Sequence, residues 1–299
     1  MKRYAPTMTR PLILDFDASV HGLLETDAIP LQQYQESIRF GCRLAALRGL
    51  GGEIPPAAPL VFLGSGDYHH VSYLLIERLR ALQSPIQVVV FDNHPDNMRY
   101  PFGIHCGSWV EHVSRLPFVT CVHVLGITSS DVEGGRVWEN HLRALRSGRV
   151  RYWCIGRDLR ALRRLGIRHS RSFESAAELL DCFAAESSTW KEPVYLSIDK
   201  DVLGPAVVRT NWDQGVMTLE ELERGIDAIA NLVIASDVTG EVSAYRYSGR
   251  WKRVLTWLDR QPEIPAGLLS SWQKEHEAVN QQLLAKLALA ASVSTEQIR

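Results

Sequence analysis

Asp92, His94 and Asp96 stand at alternating positions directly after the apolar run Val88-Val89-Val90-Phe91. In an extended segment residues i, i+2 and i+4 share a face, and carboxylates with an imidazole suit a hard or borderline divalent cation. A second run repeats the design. Val194-Tyr195-Leu196-Ser197-Ile198 is short and β-prone, and it ends in Asp199-Lys200-Asp201, where two carboxylates again share a face and Lys200 points away. Either cluster alone reads as well as a solvated turn, because Asp and Asn are common where strands stop. Together they read otherwise. The carboxyl ends of strands in an open parallel sheet face one crevice, and carboxylates gathered there repel one another unless cations are present.

A third strand end points to the same place. Pro59-Leu60-Val61-Phe62-Leu63 runs into Gly64-Ser65-Gly66-Asp67-Tyr68-His69-His70, and Val71 to Leu79 has helical spacing of apolar residues. This is strand, glycine-rich turn and helix, with paired histidines at the rim of the acidic clusters. Paired histidines at a helix start are more often a surface feature than ligands, so the turn gains its meaning from the clusters beside it.

In this order, a glycine-rich turn with His, then D-x-H-x-D, then S-x-D-x-D, the sequence resembles the arginase/agmatinase/formiminoglutamase (ureohydrolase) family as a divergent member. Tyr152 to Asp158 is similar to the family's strand ending in I-G-x-R-D, Asp213 to Leu222 resembles its P-G-G-L-T-x-x-E-L helix entry, and Glu241-Val242-Ser243 stands where the family has E-x-N/S. The resemblance runs from about residue 59 to 245. It implies two divalent ions, one held by His69, Asp92, Asp96 and Asp199, the other by Asp92, His94, Asp199 and Asp201, with Asp92 and Asp199 bridging. Manganese is the first expectation for such an oxygen-rich set, with nickel or cobalt open. The ions would activate a water for attack on the trigonal carbon of a small guanidino or amidino substrate. His105 would relay the proton and Glu241 would hold the cation.

Several residues depart from the family pattern. Tyr68 separates Asp67 from His69, so His69 is the first choice of ligand in that turn, with His70 and Asp67 open. Asn93 replaces a small Ala and needs a hydrogen-bond partner. Lys200 puts a cation between two ligands, and Cys106 intervenes between His105 and Gly107. These departures keep a second reading alive, an arginase-fold protein that binds metal or ligand without turnover. A metallophosphoesterase ranks third, because its G-N-H-D/E and G-H-x-H elements do not occur. Arginine, agmatine, formiminoglutamate, guanidino acids and free guanidine all remain open as substrates.

The elements that must carry these residues alternate along the chain. Strands are expected at 11–17, 60–63, 86–91, 119–125, 151–156, 194–198 and 232–236, with a helix over Gln32 to Arg48 and helical patterns between the later strands. That alternation predicts an α/β fold, three αβα layers around a mostly parallel sheet, arginase-like by the resemblance. The 299 residues, 45% hydrophobic, suit one domain spanning 1–299, with 251–299 a helical C-terminal extension whose Trp272, Val279, Leu283, Leu284 and Leu287 pack on their own domain or on a neighbouring subunit.

Charge is balanced at 33 basic and 34 acidic residues, which draws the chain to neither nucleic acid nor membrane. The arginines of Arg157 to Arg171 read as a solvated helix face or an oligomer contact, and a homo-oligomer is expected. The five cysteines, odd in number and without C-x-x-C spacing, point to reduced thiols. With no apolar signal core after Met1 and no membrane-length apolar window, the expected location is cytoplasmic.

Overall fold

The computed structural model describes residues 10–23, 26–55, 58–250, 252–254, 264–265 and 267–297. Its strands are β1 (Leu12–Asp15), β2 (Asp27–Pro30), β3 (Gly41–Cys42), β4 (Leu60–Phe62), β5 (Ile86–Phe91), β6 (Ile104–His105), β7 (Val119–Ile127), β8 (Val150–Ile155), β9 (Arg171–Phe173), β10 (Val194–Asp199) and β11 (Val233–Thr239). Nine of them form one sheet in the order β2-β1-β4-β11-β10-β5-β7-β8-β9, and β3 pairs with β6 apart from it. Every ladder of the large sheet is parallel.

The central strands are apolar on both faces because helices cover both. All six residues of β5 are buried. Its period of two divides them: Val88 and Val90 enter the core under the helices Val71–Arg78 and Trp109–Ser114. Val89 and Phe91 enter the opposite core under Ala176–Ser187 and Leu219–Asp227. Full burial of each such side chain contributes roughly 1.5–3 kcal/mol, so the strand tolerates no slip in register.

Register is what joins the acidic clusters. Phe91 of β5 pairs with Ile198 of β10, which sets Asp92 beside Asp199 where both strands end. On the other side of β10, β11 pairs with β4 and brings the glycine-rich turn to the same rim.

One expectation is corrected. The helix over Gln32 to Arg48 is broken into Gln35–Ile38 and Leu44–Gly49. Between them Arg39 turns inward, Phe40 takes a φ of +70°, and Gly41-Cys42 pairs with Ile104-His105. A buried ion pair outweighs helical propensity there, since Arg39 Nε donates to Asp67 at 2.7 Å and Nη1 to Asp17 at 3.3 Å. The edge strands β2 and β9 were not anticipated, being short and mostly exposed, without an apolar run.

The C-terminal helix, Leu269–Gln297, packs on its own chain, against the helix Leu219–Asp227 and β11. Val279, Leu283 and Leu287 enter the core, and His276 and Asn280, buried on the same stripe, reach the strand ends. Residues 255–263 of the expected extension lie outside the described residues.

Candidate metal centre

The turn after β4 decides which of three side chains meets the acids. His69 Nδ1 lies 3.2 Å from Asp92 Oδ2, 3.1 Å from Asp96 Oδ2 and 3.4 Å from Asp199 Oδ2. Asp67 faces Arg39 instead, and His70 is fully buried behind the cavity wall. The outer nitrogen of His69 is 2.9 Å from Ser197 Oγ, and Ser197 donates to Asp237 Oδ1 at 2.7 Å. The serine hydrogen being committed to Asp237, His69 carries its proton on Nε2 and leaves Nδ1 for the cluster.

A second group forms around His94. Its Nδ1 is 2.9 Å from Asp201 Oδ2 and 3.6 Å from Asp92 Oδ1. Ligand atoms of His69, Asp92 and Asp96, and of Asp92, His94 and Asp201, fall within 4.8 Å of one another. Asp92 belongs to both groups. Asp96 adopts a φ of +44°, a conformation that Asp tolerates better than most residues, and accepts from Trp109 Nε1 at 2.7 Å. Asn93 finds the partners its position demands: its Oδ1 accepts from Thr128 N at 3.1 Å and its Nδ2 donates to Asp213 O at 3.0 Å.

Crowding these acids out of water has electrostatic consequences. Burial, reinforced by the charge of Asp92, pushes Asp96 up to about 7. Burial raises Asp199 to about 6, with His69 opposing and Asp92 adding to the rise. Asp201 is raised well above the carboxylate range by burial and by Asp199. Burial opposes ionisation of Asp92 too, yet the imidazoles of His69 and His94 hold it below its ordinary value. Its Oδ2 is buried without a hydrogen-bond donor. Oxygen-rich donors, an acceptor without a donor and three acids held above their ordinary range fit divalent cations, which would supply the missing positive charge.

The cluster floors a cavity of about 680 Å³ whose walls include His105, Cys106, Asp131, Arg136, Glu139, Trp212 and Asp213. His105 is thus brought to the site. Burial, aided by the charge of Lys252, pulls it down to about 3, and its Nδ1 accepts from Gly107 N at 2.9 Å, so the ring is neutral at ordinary pH. Cys106 turns its sulfur to within 3.7 Å of the His105 ring.

Glu241 meets a different geometry from the one expected. It does not line the cavity. Its Oε1 accepts from Lys200 Nζ at 2.5 Å and from Asn280 Nδ2 at 2.7 Å, and its Oε2 is 3.2 Å from His276 Nδ1. Lys200 does point away from the acidic cluster, from the 3-10 turn that follows β10 rather than from an extended strand end, and takes Glu241 as its partner.

Sequence reasoning missed Ser197, Asp237, Trp109, Asp213, His276 and Asn280. Ser197 was within reach, since it sits two residues before Asp199 on the same face, and Asp237 is its partner in register across β11. Trp109 and the two helix residues carried no local signal.

Sheet topology, strand-end acids and the order of motifs define one class, and the chain belongs to the arginase family, whose sequence profile matches residues 42–248. An uncharacterized protein of Thermotoga maritima is 27% identical over 218 residues, covering 73% of this chain and 71% of its own. Among solved structures, proclavaminate amidino hydrolase from Streptomyces clavuligerus superposes with a TM-score of 0.50 at 19% identity, covering 83% of this chain and 70% of that one. Trypanosoma cruzi formiminoglutamase with Mn2+ gives a TM-score of 0.50 at 14% identity, covering 89% and 75%. At these identities the likeness is one of fold. No helix among the described residues is long and apolar enough to cross a membrane.

Proposed function

We propose that this chain is a binuclear-metal hydrolase that cleaves a C–N bond in a small guanidino or amidino compound. The observation that carries the reading is the convergence of His69, Asp92, Asp96 and Asp199 on one side, and of Asp92, His94 and Asp201 on the other, on the floor of one cavity. Those residues would hold the two ions, manganese ahead of nickel or cobalt, with Asp92 and Asp199 bridging. When bound, such ions supply an activated water at neutral pH.

The chain's own residues do the rest. A planar cationic substrate entering the cavity meets Asp213 and Glu139 on its walls. Holding that cation by Glu241, as the resemblance implies, requires the carboxylate to leave Lys200. His105 is neutral in the resting chain, with Nδ1 accepting from Gly107 and Nε2 bearing the proton, so it can donate a hydrogen bond to substrate. Relaying a proton to the leaving amine would require the ring to gain a second proton first. A homo-oligomer in the cytoplasm belongs to the same proposal.

The second reading, metal or ligand binding without turnover, is favoured by the Lys200–Glu241 pair, which neutralises the expected substrate carboxylate within the protein. One experiment separates the two: manganese-loaded protein is tested for urea or ammonia release across arginine, agmatine, formiminoglutamate, guanidino acids and guanidine. Release from any one, lost in Asp199→Ala, supports the hydrolase. Metal uptake without release from the whole panel leaves the binding reading.

A further inference from the structure

Lys200 is the residue that sits between two of the acids, and nothing in the cavity explains it. Its side chain is completely buried, directed away from the cluster toward Glu241 and Asn280. There Nζ donates to Glu241 Oε1 at 2.5 Å and to Asn280 Oδ1 at 2.8 Å. Asn280 Nδ2 donates to the same Glu241 oxygen at 2.7 Å, whereas Glu241 Oε2 and His276 Nδ1, packed 3.2 Å apart, make no hydrogen bond. His276 is itself held through Nε2, which donates to the Arg209 carbonyl at 2.8 Å. Lys200, Glu241, His276 and Asn280 are each at most 1% exposed.

Such an arrangement is poorly explained as a source of stability. Two buried charges give back little more than their desolvation costs, and apolar side chains of similar volume hold a core as well. What a buried, directional network does is fix geometry. We infer that Lys200, Glu241, His276 and Asn280 form a positioning device for the metal centre, through which the C-terminal helix sets the orientation of Asp199 and Asp201. The inference rests on the metal reading above.

Asp199 ends β10 and caps the 3-10 turn Lys200–Val202, its Oδ1 accepting from Asp201 N at 3.0 Å, so anchoring Lys200 between them fixes the path of that turn and with it the aim of both carboxylates. The anchor has two mounts, Glu241 on the loop after β11 and Asn280 on the C-terminal helix, joined by a hydrogen bond of their own. Gly240, at a φ of +90°, lets that loop approach closely, since a Cβ there would come within 2.3 Å of Asp199 Oδ1. His276 and Asn280 touch neither the cavity lining nor the acids of the cluster, so they act only through Lys200 and Glu241.

The test is equilibrium binding of Mn2+ and Co2+ by calorimetry, with the visible spectrum of the Co2+ form, on the full chain and three variants. Asn280→Leu removes one mount. Lys200→Met with Glu241→Leu removes both charges at once and leaves neither unpaired. His276→Gln is the mildest change and serves should Asn280→Leu fail to fold. The expected result is a loss of metal affinity of about ten- to a hundredfold, as for groups that orient ligands without binding metal, and an altered Co2+ band shape in a chain of unchanged circular dichroism. Lower melting temperatures of the metal-free variants with affinity and spectrum unchanged would assign the network to stability alone and overturn the inference. A wild-type chain that takes up neither ion overturns the metal reading and this inference with it, so the two failures are distinguishable.

Discussion

Nε2 of His94 lies 2.8 Å from Oδ1 of Asp213, a carboxylate on the loop that enters the helix Leu219–Asp227. The imidazole is gripped at both nitrogens, with Asp201 at Nδ1. With its outer proton directed at Asp213, the ring presents Nδ1 to the cluster in one orientation, the arrangement by which carboxylates orient metal-bound histidines.

Asp213→Asn should therefore weaken metal binding with little change in fold. Asp213 is 71% exposed, so the loss should lie near the low end of the usual range, about tenfold. Calorimetric titration with Mn2+ checks it, and an unchanged affinity would reduce the contact to a surface ion pair.

The two neighbouring histidines should behave oppositely. His69→Ala should remove one of about two bound metal ions per chain, whereas His70→Ala should leave the metal count intact and lower stability, because His70 is fully buried. Elemental analysis after manganese loading, paired with thermal melts, distinguishes them. The reverse pattern would transfer the ligand role to His70.

The metal-free protein should lose stability as pH rises from about 4 to 7. Asp96 at about 7 and Asp199 at about 6 hold protons in the folded chain that the unfolded chain has already released, so ionisation favours unfolding across that window. His69 and His94, held well above the ordinary histidine range, act in the same direction: their contribution is present below about 6.5 and is lost as pH rises through their folded values. Asp92, held low, contributes the opposite slope only below about 4. Bound divalent ions displace these protons, so manganese should raise the melting temperature more at pH 8 than at pH 5. Melts across that range with chelator and with Mn2+ test both statements. A chelated protein that gains stability over the whole range would contradict the placement of the acids.

Arg39→Ala should be among the most destabilising changes away from the cluster. It leaves Asp17 and Asp67 buried without their shared cation, a loss of about 3–5 kcal/mol by analogy with broken buried pairs. Arg39→Lys keeps the charge without the planar fork and should fall between. Urea denaturation measures both, and a loss below about 1 kcal/mol for the alanine variant would show that water reaches the pair.

The sequence by itself determined the strands that carry the acids, since burial on both faces leaves β5 and β10 no other register. How the acids face one another was decided beyond the strand ends, where Asp96 takes a φ of +44° and Lys200–Val202 forms a 3-10 turn, so that Asp92 serves both groups while His94 and Asp96 part between them. The order of the motifs was enough to indicate the family. The break at Arg39 was not legible, since nothing near it in the chain shows that Asp17 and Asp67 wait 22 and 28 residues away. His69 was the first choice in its turn, but no local pattern excluded His70, because the choice depends on how one turn of backbone after β4 faces β5.

Tertiary structure alone decided the partner of Glu241 and the placement of the C-terminal helix. Lys200 meets Glu241 across 41 residues and Asn280 across 80, and no periodicity records a contact of that span. In the sequence, a helix with polar residues among its leucines fits packing on its own domain or on a neighbouring subunit equally well. Once folded, desolvation removes the ambiguity: a lysine with no access to water must find a carboxylate and an amide, and His276 and Asn280 lie on the buried stripe because that is where Lys200 and Glu241 need them.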